Sequence, residues 1–158
     1  AKLLGLPYPG GPAIETLAAA GDPAGVPLPR PLVGSGEPHF SFAGLKSAVQ
    51  RASQAGAYRP EDIAASFQRA VIDCLVDRTR IALDRSDAPT LVVAGGVAAN
   101  RPVRAALGEL AQASGRRFSV PPAWLCTDNA AMIAWAGAER LAAGLIDDLD
   151  APARARWP

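Results

Sequence analysis

The apolar positions of the chain recur with helical spacing in several segments, and short apolar runs separate these segments. Residues 60–83 are predicted to form the longest helix, with one buried stripe made of Ile63, Phe67, Ala70, Val71, Cys74 and Ile81. Shorter helices are predicted over 12–20, over 43–53, from Arg101 onward, and from Thr127 or Asp128 to about 143. Residues 1–5 have the pattern of a helix end that Gly5 terminates.

Three short apolar runs predict β-strands between these helices. They are HFSF at 39–42, TLVVA at 90–94 and RRFSV at 116–120, and the second is predicted to be fully buried. Phe40 and Phe42 are assigned to the core. Residues 21–38 are rich in proline and glycine, which indicates a loop. The alternation of helices with buried strands predicts an α/β fold in which helices cover a central sheet.

Composition narrows the functional classes. The 158 residues fit one domain, and a net charge of +1 gives no general preference for polyanions. Cys74 and Cys126, far apart in sequence, predict two free thiols. Without a long apolar run or a signal peptide, we expect a cytoplasmic protein that does not contact a membrane. The chain starts inside a helical pattern without an initiator methionine, so we expect it to be part of a longer protein; its polar end, 150–158, is predicted to lie on the surface.

A glycine pair follows the predicted strand at 90–94. In AGGVAAN, Gly95 and Gly96 leave the backbone open to a ligand, and Asn100 stands at the start of the next helix. The motif lacks the third glycine of a dinucleotide-binding fold and the Gly-Lys-Ser/Thr of a P-loop. It resembles the adenosine-contacting turn of actin-like ATPases. The alternative is a tight strand-to-helix turn, with Asn100 as an ordinary helix cap.

Two further positions are candidates for binding. In the turn YPGGP, Gly11 would lie against a ribose or phosphate, and Glu15 would accept hydrogen bonds from ribose hydroxyls. The alternative is a structural turn. Asp128, in CTDNAAMIA, is either an N-cap or a metal ligand. The single histidine, His39, and Cys126 do not complete a metal site, so other ligands would have to come from outside these residues.

Five blocks in this order carry a family resemblance: AKLLGLPYPGGPAIE, HFSFAGLKSAV, DIAASFQRAVIDCLVDRT, LVVAGGVAANRPVRAAL and CTDNAAMIAWAG. Together they resemble the C-terminal half of the universal tRNA N6-adenosine threonylcarbamoyltransferase family. The resemblance implies an actin-like lobe of the ASKHA, RNase H-like type, with a mostly helical insertion and with the N-terminal lobe absent. It covers nearly the whole chain, which would form this single lobe over 1–158.

The resemblance also implies a reaction and its site. The family transfers a threonylcarbamoyl group from threonylcarbamoyl-adenylate to N6 of adenosine 37 in tRNAs that read codons starting with A. By resemblance, Gly11 and Asn100 contact the adenylate, Glu15 is a looser match to an acidic ribose ligand, and Asp128 completes an iron or zinc site. The two histidine ligands belong to an H-x-x-x-H motif of the N-terminal lobe, which this chain lacks. Bacterial members work with a paralogous actin-like partner and a small ATPase, mainly through that lobe.

A basic face is a further hypothesis. Lys46 is the best candidate for contact with tRNA phosphates. We interpret most of the neighbouring cations as solvated charge balanced by acidic residues; they are Arg51, Arg59, Arg69, Arg78 and Arg80.

Two other functions remain open on the residues alone. One is the nucleotide-binding lobe of a sugar or acetate kinase, and the other is a non-catalytic actin-like interaction module. Under the main hypothesis, Gly11, Gly96, Asn100 and Asp128 should rim one hollow. The sequence contains no Ser/His/Asp nucleophile arrangement, which favours direct attack by the adenosine amine. We expect the isolated chain to lack transferase activity, because metal and adenylate both need the absent lobe.

Overall fold

A computed structural model describes residues 1–152 of the chain. Most of the polar C-terminal stretch predicted to lie on the surface, residues 153–158, falls outside the described residues. No helix within 1–152 has the length and apolar character needed to cross a bilayer.

Five α-helices form within the described residues: α1 Gly10–Ala18, α2 Leu45–Ala55, α3 Pro60–Asp84, α4 Arg101–Ala113 and α5 Ala130–Ala142. Three short 3-10 helices accompany them, at Lys2–Leu4, Gly96–Ala99 and Ala123–Leu125. The long helix α3 is confirmed at both ends to within one residue, because Pro60 fixes its first turn and the apolar stripe is continuous. Gly5 ends the first segment in the left-handed conformation, as predicted, but that segment is a 3-10 helix.

The sheet of the described residues is small. Strand β1, Thr90–Val92, pairs in parallel with β2, Arg117–Ser119, so that Leu91 lies opposite Phe118, and α4 makes the crossover between them. The ring of Phe118 lies under Gly108 of α4. The α/β class is therefore confirmed. Two predictions are wrong: residues 39–42 form no strand, and β1 is not fully buried, since Val92 is 65% exposed.

Helix α3 is the centre of the packing. It lies against α1, α2 and α4, and its buried positions Ile63, Ala70 and Cys74 follow the predicted stripe. The main core cluster joins this stripe to apolar residues of the 26–28 loop and of α2. Phe40 and Phe42 are 55% and 42% exposed, so their assignment to the core is wrong.

A glycine sets the spacing between α1 and α3. A Cβ atom on Gly21 would lie 2.0 Å from the carbonyl oxygen of Glu61, at the start of α3. Backbone cannot yield to such an overlap, so the chain leaving α1 can pass the first turn of α3 only without a side chain at this point.

A buried arginine fastens the loop that precedes α2 to α3. Arg78 is fully buried, and its Nη1 donates to Ser35 Oγ and to the Glu37 carbonyl oxygen, both at 2.6 Å. Its Nη2 donates to the carboxylate of Asp77, which also accepts from the backbone amide of Gly34 at 3.3 Å. A charge removed from water must be paired in this way, and the pairing holds the loop in place.

Helix α5 is built differently from the others. None of its residues is buried, although it carries large apolar side chains, and the same holds for the segment after it. The exposed residues, called here the α5 surface, are Met132, Ile133, Trp135, Leu141, Leu145 and Ile146. A helix that is apolar on several sides is normally enclosed by protein. The described residues do not enclose it.

Candidate functional site

One large cavity lies between α1, α2, α3 and the turn that precedes α4. Its volume is about 910 Å³, and its wall is mainly apolar, with side chains such as Leu45, Ile63 and Phe67. Five of the seven residues singled out in the sequence line it: Gly11, Glu15, Lys46, Gly96 and Asn100. They come from three separate parts of the chain, at 11–15, 46 and 96–100, which the fold brings together. Gly95 and Asp128 are not among the lining residues.

The glycines of the cavity rim differ in what they do. Gly95 has φ 85° and ψ 175°, a conformation that side chains disfavour, and it turns the chain from β1 into the 3-10 helix Gly96–Ala99. Gly96 and Gly11 have negative φ, and a Cβ on either would meet no atom within 4 Å. Packing within the described residues therefore does not require glycine at 96 or 11. The backbone at both glycines is open to the approach of another group.

Asn100 makes two contacts with its side chain. Its Oδ1 accepts from the Val103 amide at 3.0 Å, which makes it the N-cap of α4, as predicted. Its Nδ2 donates to Gln68 Oε1 at 3.1 Å, across the cavity wall on α3. One amide hydrogen and part of the oxygen's accepting capacity remain for a ligand. The cap is confirmed, and the contact with a nucleotide stays a prediction.

Glu15 projects from α1 toward the start of α4. Its Oε1 accepts from Arg101 Nε at 2.8 Å, and its Oε2 accepts from the Arg101 backbone amide at 3.3 Å. The side chain of Glu15 is 15% exposed and that of Arg101 is 89% exposed. A carboxylate at the first amide of a helix is favourably placed in the helix dipole. Two of its four acceptor sites remain free for hydroxyl groups.

The basic residues fall into two groups. Arg59, Arg69, Arg78 and Arg80 form ion pairs with the acidic residues predicted to balance them, which are Glu61, Asp62, Asp73 and Asp77. The interpretation as solvated charge is wrong for Arg78, which is fully buried. Lys46 stands at the start of α2 on the cavity rim, is exposed, and has no ion-pair partner within residues 1–152. Arg51 is also exposed and has no ion-pair partner within residues 1–152, so its interpretation as a balanced charge is wrong. Contact of Lys46 with nucleic acid stays a prediction.

Asp128 lies in a separate shallow depression of about 460 Å³, beside Asn129, Met132 and Ile133 at the start of α5. It does not cap α5, because the N-cap is Asn129, whose Oδ1 accepts from the Met132 amide at 3.0 Å. The cap predicted at Thr127 or Asp128 is corrected accordingly. Asp128 and the cavity do not form the single hollow expected from the sequence.

The described residues do not by themselves fit a metal ion. No group of three or more His, Cys, Asp or Glu side chains in 1–152 is arranged to hold one. Asp128 offers a single exposed carboxylate, and Cys126 is buried beside the Pro121 carbonyl oxygen and Arg104. Structural or catalytic sites need at least three protein ligands, so no chemical step is assigned to a metal here.

The Cys74 thiol and the Asp77 carboxyl group have shifted pKa values. Burial raises the pKa of the Cys74 thiol, with the nearby Asp73 carboxylate acting in the same direction. Hydrogen bonding from Arg78 lowers the pKa of Asp77. Neither residue lines the cavity. Both cysteines are free thiols, as predicted. The cavity is a binding surface in its chemistry, without a nucleophile and its base among its lining residues.

Comparison with known sequences shows the family of this chain. The sequence model of TsaD, described as tRNA N6-adenosine threonylcarbamoyltransferase, matches residues 1–135. The chain belongs to this family. Curated relatives of that name are 68% identical in Sphingopyxis alaskensis, 66% in Novosphingobium aromaticivorans and 60% in Zymomonas mobilis. Each alignment covers 100% of the chain but only 45% or 46% of the relative. The chain thus spans about half the length of these threonylcarbamoyltransferases.

Membership in the threonylcarbamoyltransferase family excludes one of the functions left open by the sequence, the lobe of a sugar or acetate kinase. The family model over residues 1–135 and the relatives aligned over the whole chain carry the same name. Sequence reasoning missed two polar residues of the cavity in this family member, Lys2 and Gln68. The sequence signal for Gln68 was its place next to the apolar stripe of α3, between Phe67 and Val71.

Proposed function

We propose that this chain is the C-terminal, actin-like lobe of a cytoplasmic tRNA N6-adenosine threonylcarbamoyltransferase, and that its cavity binds the adenylate part of threonylcarbamoyl-adenylate. The observation that carries the proposal is the convergence of two distant parts of the chain, with Gly11 and Glu15 in one and Gly96 and Asn100 in the other, on one cavity of about 910 Å³. A volume of this size suits a nucleotide-sized ligand.

The chemistry of the lining matches the parts of an adenylate. Glu15 keeps acceptor sites for ribose hydroxyls, and Asn100 keeps one amide hydrogen. The open backbone at Gly11 and Gly96, with the turn at Gly95, allows a phosphate or ribose to approach closely. The apolar wall formed by residues such as Phe67 and Ile63 can enclose the flat face of a base.

In the proposed reaction the N6 amine of adenosine 37 attacks the carbamoyl carbon of the donor. The bond from that carbon to the phosphate oxygen breaks, AMP leaves with the electron pair, and the amine loses a proton. The contribution of this chain is to bind and orient the adenylate, so that its anhydride faces the amine. No covalent intermediate on the protein is needed, in keeping with the lack of a nucleophile in the cavity lining.

We also propose that Asp128 is one ligand of an iron or zinc ion whose other ligands come from polypeptide outside this chain. Its exposed carboxylate and the small depression at the start of α5 support this assignment. In the full-length protein, Asp128→Asn should lower the metal content measured after chelation and reloading. The matched control, Asp148→Asn, alters an exposed carboxylate beyond α5 and should retain the metal. Equal metal content in both variants would contradict the role of Asp128.

A second lobe is part of the proposal. The α5 surface is apolar and uncovered by residues 1–152, and the relatives are about twice as long as the chain. Both observations support a two-lobed enzyme in which further polypeptide packs against α5 and closes the binding site. We therefore propose that the chain alone lacks transferase activity. Lys46, on the cavity rim, is the proposed contact for a tRNA phosphate. Contacts with a paralogous actin-like partner and a small ATPase are assigned mainly to the second lobe.

The test uses the full-length protein with threonylcarbamoyl-adenylate and unmodified tRNA. Threonylcarbamoyladenosine is measured in digested tRNA, and AMP binding is measured by calorimetry. Two variants of Asn100 separate binding from folding. Asn100→Ser keeps a good N-cap for α4 and removes the amide, whereas Asn100→Ala removes both and should cost about 1 kcal/mol of stability.

The expected result is that Asn100→Ser lowers AMP affinity and transfer while the melting temperature stays near that of the wild type. If both Asn100 variants bind AMP as tightly as the wild type, the cavity is not the adenylate site. Turnover by the wild-type 1–158 chain alone would refute the need for a second lobe. Full-length protein that binds AMP but never modifies tRNA would favour the interaction module.

A further inference from the structure

Gln68 holds the carboxamide of Asn100 from the opposite wall of the cavity. It lies on α3, where its Oε1 accepts from Asn100 Nδ2 at 3.1 Å, while Asn100 Oδ1 accepts from the Val103 amide at 3.0 Å. The Asn100 amide is thus gripped at its nitrogen and at its oxygen. All three side chains line the same cavity.

This grip gives the amide one orientation. If the Asn100 carboxamide were rotated by half a turn, its nitrogen would face the Val103 N–H, which can only donate. The Val103 amide thus selects the orientation of the carboxamide, since an unpaired group in a partly enclosed site is costly, and the contact with Gln68 holds its nitrogen in place. Without Gln68, only the cap to Val103 restrains the side chain.

The support behind Gln68 is rigid. Residues Ala64 and Ala65, one turn earlier on α3, are buried against α1, and Ala70 follows in the main core. The backbone of Gln68 is therefore fixed by the most extensively packed helix of the fold. A side chain on such an element can set the position of its partner more closely than one on a loop.

We propose that Gln68 is a positioning residue of the adenylate site: it fixes Asn100 so that the second amide hydrogen of that residue points to the ligand. This inference rests on the proposed function of the cavity. Gln68 acts through Asn100, so its contribution to ligand affinity should vanish when the Asn100 amide is gone. Removing a residue that merely stabilised the fold would change ligand affinity equally with and without the Asn100 amide.

The experiment is a double-mutant cycle in the full-length protein, with AMP as the probe and calorimetry as the readout. Gln68→Met keeps the length of the side chain and removes the acceptor, and it should weaken AMP binding by about three- to tenfold. In the Asn100→Ser background the same change should have no further effect. Gln50→Met, an exposed position on α2, is the matched control and should bind as the wild type does.

A rescue variant keeps the proposal testable if Gln68→Met lowers the yield of folded protein. Gln68→Glu retains an acceptor for Asn100 Nδ2, so it should bind neutral adenosine as the wild type does. It should bind AMP less tightly, because like charges repel. Loss of adenosine binding in Gln68→Glu would overturn the positioning role.

The outcomes separate the inference from the proposed function. If Asn100→Ser weakens AMP binding and Gln68→Met does not, the adenylate site stands and the positioning role is wrong. The role is also wrong if Gln68→Met weakens binding equally with and without the Asn100 amide. If neither single variant changes AMP affinity, both the site and the role of Gln68 fail.

Discussion

The carboxylate of Glu15 binds Arg101 twice, through the guanidinium at 2.8 Å and through the backbone amide at 3.3 Å. This pair joins α1 to the first turn of α4 beside the cavity. It also holds the carboxylate in a defined position, where its unused acceptor sites are available to a ligand. The pair thus connects the packing of two helices to the proposed ribose contact.

Removing the Glu15 carboxylate should reduce affinity for ligands that contain ribose. Glu15→Ala is expected to weaken adenosine binding by about tenfold or more, because hydrogen bonds to a charged acceptor are the strong ones. Binding of the free base adenine should not change, since it has no ribose hydroxyls. Titration of the full-length protein with both compounds makes the comparison. An equal loss for adenine and adenosine would show that Glu15 shapes the cavity without binding ribose.

The arginine of this pair is expected to matter little for stability. Its side chain is 89% exposed, so Arg101→Gln should change the free energy of unfolding by less than about 1 kcal/mol, as measured by urea unfolding. The Glu15 carboxylate would still accept from the backbone amide of residue 101. If Arg101→Gln lowers the free energy of unfolding of the full-length protein by much more than about 1 kcal/mol, the ion pair is shielded from solvent by polypeptide outside this chain.

The α5 surface predicts a difference between this chain and the full-length protein. Ile133 is 68% exposed in the chain, so Ile133→Ser should change its stability by less than about 0.5 kcal/mol. In the full-length protein the same change should cost about 1–3 kcal/mol, because the side chain would be covered. Thermal unfolding of both proteins measures this, with Ala138→Ser on the same helix as the control. Equal effects in both proteins would show that no second lobe packs on Ile133.

The buried Arg78 of α3 should contribute far more to the free energy of unfolding than the exposed Arg80. Arg78→Met removes the buried donor shared by the Asp77 carboxylate and the Glu37 carbonyl oxygen of the loop, and it should lower the free energy of unfolding by about 3 kcal/mol or more. Arg80 also pairs with Asp77 but is 51% exposed, so Arg80→Met should cost less than about 1 kcal/mol. Urea unfolding of the two variants tests this ranking, and similar losses would contradict it.

The hydrogen bond from Arg78 to Asp77 also predicts that acid lowers the stability of the fold. Hydrogen bonding from Arg78 lowers the pKa of Asp77 in the folded protein below the unfolded value of about 3.9. The stabilisation is therefore complete above that value and is lost as the pH falls through the lower, folded pKa. Between pH 5 and pH 3, Asp77→Asn should lose less stability than the wild type, as measured by urea unfolding at about these two values. An unchanged pH dependence in Asp77→Asn would assign the acid sensitivity to other carboxyl groups.

The sequence predicts the parts of the fold that local rules determine. Helix α3 is defined by its continuous stripe and Pro60, and α4 by the cap at Asn100 followed by Pro102. The start of α5 is less certain, because Thr127, Asp128 and Asn129 are all good caps and only the backbone path selects the last. The run at 39–42 has the alternation of a strand but no partner strand beside it, and alternation alone cannot supply one.

The candidate site could be predicted only in its separate pieces. The glycine turns and Asn100 are visible as motifs, and their shared cavity results from how α1, α3 and α4 pack. Gln68 escapes detection because its partner is 32 positions away, and the contact between Glu15 and Arg101 spans 86 positions. Asp128 was expected in the same hollow, yet the described residues leave it beside α5.

Gly21 gives this arrangement a weak point far from any ligand. Since even a methyl group there would strike the backbone of Glu61, a mutation to alanine must push apart the two helices that carry Glu15 and Gln68. Such a protein would keep every chemical group of the site and still misalign them. Genetic screens for loss of function should therefore find position 21 as readily as the residues that line the cavity, and a survey restricted to those residues would overlook it.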